Sequence, residues 1–163
     1  MSDIDRLAYA RAGIEAAVEA MSRAFASDGL HRLGDFYTDD AMIISYRYNK
    51  FRHVVTGLDN IKATWHSIPG PIFWQLTISQ LIDTSDSFCH IGRSTIHGQN
   101  YLSEDDVIIL WQKQADGNYK ITLMSCSPVS SAAEAKPENR PGVTFDSLLA
   151  TSSRQTSYRL NRP

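Results

Sequence analysis

A chain of 163 residues, 42% of them apolar, can build one core that buries roughly two-thirds of its unfolded surface, and it is short for two. Sixteen basic side chains against eighteen acidic ones give a formal charge of -2, with no block of like charges, so neither nucleic acid nor an anionic membrane is implied as a partner. The first twenty residues carry Asp3, Asp5, Glu15 and Glu19, and no apolar run approaches a membrane span, so no signal peptide is read and the expected location is cytoplasmic.

In chain order, Ile4, Leu7, Ala8, Ile14, Ala17, Val18, Met21 and Phe25 recur every three or four residues. They predict a long amphipathic helix capped by Ser2 or Asp3, with Gly13 as a point where it can break. Asp28-Gly29 reads as a turn into a short second helix carrying Leu30, Leu33 and Phe36 or Tyr37. Residues 41–48 alternate as a strand, Asn49-Lys50 turns it, and residues 51–55 return. A third helix begins at Asp59 or Asn60, places Ile61, Trp65 and Ile68 on one side, and stops at Pro69-Gly70-Pro71.

Three long strands are then expected at residues 73–82, 88–101 and 107–114, and Ala115-Asp116-Gly117-Asn118 turns into a last one at 119–126. In the first of these Trp74, Leu76 and Ile78 share a face, and the Leu81-Ile82 pair after Ser79 breaks the alternation in the manner of a bulge. Asp39 and Asp40 read as a helix-ending pair, while Asp83, Asp86, Glu104, Asp105 and Asp106 read as turn residues. The last segment, rich in Ser, Glu, Lys and Pro, divides the chain into a pocket domain at 1–130 and an extension at 131–163 that is either flexible or laid over the pocket or a partner subunit.

Cys89 and Cys126, the two cysteines, lie in β-like runs and read as buried thiols, with a disulfide or a reactive thiol as the alternatives. The histidines lack metal-ligand spacing, and neither a phosphate-binding glycine loop nor a G-x-S-x-G elbow occurs, so no metal and no cofactor is expected. A proton-transfer enzyme needs a base within reach of its substrate, and the histidines are the natural choice. His90 and His97 are seven residues apart on one strand and therefore on opposite faces, so only one can look inward. His90 is preferred, because Gly92 beside it leaves room for a ligand. Tyr46 and His53 in the hairpin, and Asp28 at the helical rim, complete the catalytic candidates. Trp65, Trp74, Leu76, Ile78, Ser94, His97 and Met124 are the candidates for substrate contact, and His66 and His31 are read as facing solvent.

FYTDDAMI after two helices, TGLDNIKATW opening the third, and WQKQADGNYKI across the final hairpin together resemble the nuclear transport factor 2-like superfamily, over residues 3–127. Within it the resemblance is to the SnoaL-like polyketide cyclases and dehydrochlorinase-type lyases. It implies an α+β fold in which a strongly curved antiparallel sheet forms a cone-shaped barrel around N-terminal helices. It also implies a homodimer packed through the outer face of the sheet, where Ile109 and Trp111 are the apolar positions expected to need cover. The opening MSDIDRLAYARAGI is similar to the dehydrochlorinase-type lyases, which use a His-Asp pair. Here the aspartate position falls near Asp28, residues 73–82 hold no histidine, and the basic position of the last strand falls near Met124. The implied function is a cofactor-independent lyase, isomerase or cyclase acting by acid-base catalysis on a small apolar carbonyl or polycyclic substrate. The alternative is a non-catalytic small-ligand binding or dimerisation domain.

Overall fold

A computed structural model describes residues 3–27, 29–46, 52–99 and 101–129. Asp28, the Asn49-Lys50 turn and the extension at 131–163 lie outside the described residues. The elements are α1 (Asp3–Ala26), a 3-10 helix (Gly29–Asp35), β1 (Tyr37–Tyr46), β2 (Arg52–Thr56), α2 (Leu58–His66), β3 (Phe73–Asp83), β4 (Phe88–Gly98), β5 (Tyr101–Lys113) and β6 (Tyr119–Pro128). The six strands form one open sheet in the order β2-β1-β6-β5-β4-β3. Every neighbouring pair is antiparallel except β1 with β6, which runs parallel, so the sheet is mixed rather than wholly antiparallel. This is the α+β cone expected from the sequence, with the helices lying in the concave side. No helix among the described residues is long and apolar enough to cross a membrane.

Helix α1 runs unbroken through Gly13. The glycine serves packing instead: a Cβ there would lie 2.5 Å from Cε2 of Tyr119, so its absence lets the aromatic ring rest on the helix backbone. Arg6 fastens the start of the helix to the β3–β4 turn, pairing with Asp83 at 2.9 Å and donating to the Ser85 carbonyl at 2.6 Å. At the other end Phe25 meets Trp65 of α2 and Trp74 of β3, with ring centroids 4.5 and 5.3 Å away. Such tilted and edge-on aromatic contacts join three elements at one point of the core.

Cross-strand register defines the two faces of the sheet. Inside, Leu81, His90, Ile109, Met124, Ile43 and Val55 form one row, and Ile78, Gly92, Val107, Cys126, Ser45 and His53 form the next. Outside, Gln80, Ile91, Ile108, Ser125, Ile44 and Val54 lie in one row, and Ile82, Cys89, Leu110, Leu123 and Met42 in the adjacent one. Ile109 and Trp111 are therefore not outward positions that need a partner. Both are fully buried, because β5 presents its odd-numbered residues to the core, and Ile108, 47% exposed, takes the outer place. The strand β3 changes register between Ile78 and Gln80, where the broken alternation pointed to a bulge.

Candidate functional site

Near one end of the concave face, the mouth of the cone, a row of inward-facing residues crosses β3, β4, β5 and β6. Leu76 pairs with Ser94, Ser94 with Asp105, and Asp105 with Pro128, while Trp74, Ile96 and Ser103 line up one step further out. Side chains directly opposite on neighbouring strands stand about 5 Å apart at Cβ, so Ser94 and Asp105 are immediate neighbours. Leu76, Ile78, Ser103 and Asp105 are each only half-buried, whereas Ser94 is only 1% exposed. A half-buried apolar wall beside a half-buried carboxylate is the arrangement a small ligand can reach.

Three hydrogen bonds orient the polar groups. The Trp74 indole N–H donates to Ser94 Oγ at 2.7 Å. Because an indole nitrogen only donates, the serine oxygen is the acceptor and its own O–H remains to donate elsewhere. Ser103 donates to Asp105 Oδ2, leaving Oδ1 without a partner among the described residues. Burial raises the Asp105 carboxyl above the ordinary carboxylate range, partly offset by the Ser103 hydrogen bond and reinforced by the neighbouring charge of Asp106. Cys126, one row inward, is likewise pushed up, first by burial and then by Asp105, so its thiol stays protonated.

His90 is fully buried and both ring nitrogens are engaged. Trp111 Nε1–H donates to His90 Nδ1 at 3.3 Å, and the two ring planes lie within 11° of parallel with centroids 6.5 Å apart. Nδ1 must then be the unprotonated nitrogen, and Nε2–H donates to the Thr77 carbonyl at 2.8 Å. The imidazole is held neutral: burial lowers its pKa, opposed by the Thr77 bond and aided by the charge of Arg11. The room expected over Gly92 is filled by His90 itself. A Cβ at Gly92 would overlap the Thr77 carbonyl oxygen and come within 2.7 Å of His90 Nε2, so this glycine makes space for the histidine and not for a ligand.

Tyr46 does not point into the cone. It follows inward-facing Ser45 on β1, lies on the outer face, and is 42% exposed. His97 is exposed on the outer face for the same reason of parity with His90. His53 is on the inner face, but on β2, separated from β5 by β1 and β6; with strands about 4.8 Å apart it stands about 14 Å along the sheet from the Asp105 side of the mouth. Trp65 and Trp74 are packed by protein on all sides, 5.7 Å apart at their centroids, and Met124 lies deep, with its sulfur 4.0 Å from the Tyr37 hydroxyl. Of the proposed contact residues, Leu76, Ile78 and Ser94 come together at the mouth. Asp105 was overlooked, because the run Ser103-Glu104-Asp105-Asp106 reads as a turn by composition. The signal for it was the in-out alternation continuing backwards from Ile109 through Val107.

Among the described residues no three His, Cys, Asp or Glu side chains gather in a way that would hold a metal ion. Away from these residues, a cleft of about 430 Å³ lies between α1 and the β5–β6 turn, lined by Ala16, Ala17, Ala20, Arg32, Asp35 and Lys120 among others.

No family model and no curated protein sequence matches the chain. Solved structures do. A function-unknown protein from Mycobacterium tuberculosis (Rv3472) superposes with a TM-score of 0.66 at 14% identity, over 95% of each chain. An NTF2-like protein with a cystatin-like fold from Novosphingobium aromaticivorans gives 0.60 at 11% identity, over 78% of this chain and 87% of that one. A ketosteroid isomerase-like protein from Erwinia carotovora atroseptica gives 0.54 at 19% identity, over 74% and 96%. The strand order, the helices held in the concave side and these superpositions agree: the chain has the fold of the nuclear transport factor 2-like superfamily.

Proposed function

We propose that the mouth of the cone is a small-molecule site for cofactor-independent acid-base chemistry on a small, largely apolar carbonyl compound, of the isomerase, lyase or cyclase kind found in the SnoaL-like group. The observation that carries this reading is the half-buried Asp105, with a raised pKa and, among the described residues, no partner on Oδ1, directly across from a serine whose hydroxyl hydrogen is given to none of them. A carboxylate whose pKa is raised is a stronger base than an ordinary one. Asp105 takes the proton from the carbon beside the carbonyl, breaking C–H and forming O–H on the carboxyl. Ser94 donates to the carbonyl oxygen as negative charge develops there. Return of the proton to another carbon completes an isomerisation, and loss of a β-leaving group completes an elimination. Leu76 and Ile78 provide the apolar wall. One structural neighbour is described as ketosteroid isomerase-like, which is in keeping with this class.

The same reading includes a homodimer packed through the outer apolar stripe of Ile91, Ile108, Ile44, Val54, Leu110 and Leu123. The binding-only alternative draws on His90, whose two occupied nitrogens remove the most obvious base. One experiment separates the two. Small cyclic and aromatic ketones are incubated with the protein in deuterated water, and exchange of the protons beside the carbonyl is followed by NMR. Asp105-dependent exchange supports catalysis. Binding of the ketones to wild type and to Asp105→Asn alike, with no exchange, moves the reading to a binding domain.

A further inference from the structure

His90 takes no part in the chemistry above, yet its surroundings are built around one place in the sheet. At the bulge of β3 the Thr77 hydroxyl reaches across to the backbone of Arg93, accepting from its N–H at 3.3 Å and donating to its carbonyl at 3.3 Å. The Thr77 carbonyl leans over Gly92, which has no side chain to obstruct it, and accepts the His90 Nε2–H. Trp111 then fixes the ring from the other side. Five residues on three strands thus hold the bend that separates Leu76 and Ile78 from the rest of β3. A bulge leaves backbone groups unpaired and bends its strand, so a side chain that satisfies one of those groups also fixes the bend.

We infer that His90 is a positioning residue: through Thr77 it holds the bend of β3, and with it the Leu76 and Ile78 wall of the mouth. The role rests on the reading of that mouth as the ligand site, but the hold on the strand does not. Only the neutral ring can do this. Protonation puts a hydrogen on Nδ1 facing the Trp111 N–H, two donors opposed, so the ring cannot keep both bonds. The charge of Arg11 on α1, paired with Glu15 at 3.4 Å, further disfavours a positive charge on the ring. Leu81 and Ile109, opposite His90 on β3 and β5, carry none.

The test uses amide hydrogen exchange of the full-length protein, read by mass spectrometry over the β3 peptides and corrected for the intrinsic effect of pH. In His90→Gln the side-chain amide can donate to Thr77 and accept from Trp111, whereas His90→Leu can do neither. The expected result is wild-type protection of β3 in His90→Gln and exchange about tenfold faster in His90→Leu, the scale of one buried hydrogen bond left unmade. If His90→Leu does not fold, the pH series decides. Wild-type β3 opens as pH falls below about 6.5, and His90→Gln does not. Equal protection in all three proteins, or equal acid opening in wild type and His90→Gln, overturns the inference. None of these readouts uses a ligand, so the hold on β3 can stand where the proposed catalysis fails, and the reverse.

Discussion

Asp105 is the residue on which sequence and structure differ most usefully. Its local composition says turn, yet β5 extends back to Tyr101 because β4 offers a full-length partner, and cross-strand pairing outweighs the poor strand preference of Asp and Glu. Parity then decides everything: Glu104 and Asp106 face water, and Asp106 lies 3.6 Å from Arg93 outside, while Asp105 is turned in. Its raised pKa makes a thermodynamic prediction. The folded state holds the proton more tightly than the unfolded chain, so this group's contribution is most favourable below its ordinary pKa and is lost as pH rises through the raised folded value. Asp105→Asn is therefore expected to melt higher than wild type at neutral pH, with the difference closing in acid. The same variant should lose about a hundredfold or more of any proton-exchange activity. His90 has the opposite sign. Its lowered pKa means stability is full above about pH 6.5 and falls as pH drops toward the depressed folded value, and His90→Gln should remove that dependence in calorimetric melts across the range.

The elements themselves were largely legible. Periodicity gave both α-helices and Pro69-Gly70-Pro71 gave the end of the second, because these signals are local. The bulge in β3 was legible too, from Leu81 following Ser79 out of step. The reasons for two glycines were not, since they lie in contacts with distant residues. Gly92 looked like an open space in front of a ligand, and the structure fills it with His90 and the Thr77 carbonyl. Gly92→Ala is expected to cost about 3 kcal/mol or more in denaturant unfolding, through overlap with a backbone oxygen that cannot move freely. Gly13 looked like a helix break, and in an exposed helix its replacement by Ala would gain about 1 kcal/mol. Here the added methyl meets the Tyr119 ring at 2.5 Å, so Gly13→Ala is expected to lower the melting temperature instead.

At the scale of the whole molecule, the fold follows from an order of elements that few architectures share, and for that reason it could be read from segments that are individually unspecific. What the cone holds is less legible, because the site is assembled by register across strands far apart in sequence, and a shift of one residue turns Tyr46 or His97 outward. The outer face carries its own expectation. Two adjacent, largely apolar rows on one sheet surface call for cover, and if the proposed dimer packs through them, Ile108→Lys, a change at a half-exposed position, should convert it to a folded monomer in light scattering. An unchanged mass with an unchanged melting curve would remove the outer stripe as the dimer contact.

The most direct test of the site is a crystal structure of the protein soaked with a small neutral cyclic ketone. The carbonyl oxygen is predicted to lie within hydrogen-bond reach of Ser94 Oγ, with the adjacent carbon beside Asp105 Oδ1 and the ring against Leu76 and Ile78. A ketone seated instead in the cleft between α1 and the β5–β6 turn, with Asp105 left untouched at an empty mouth, would contradict the account.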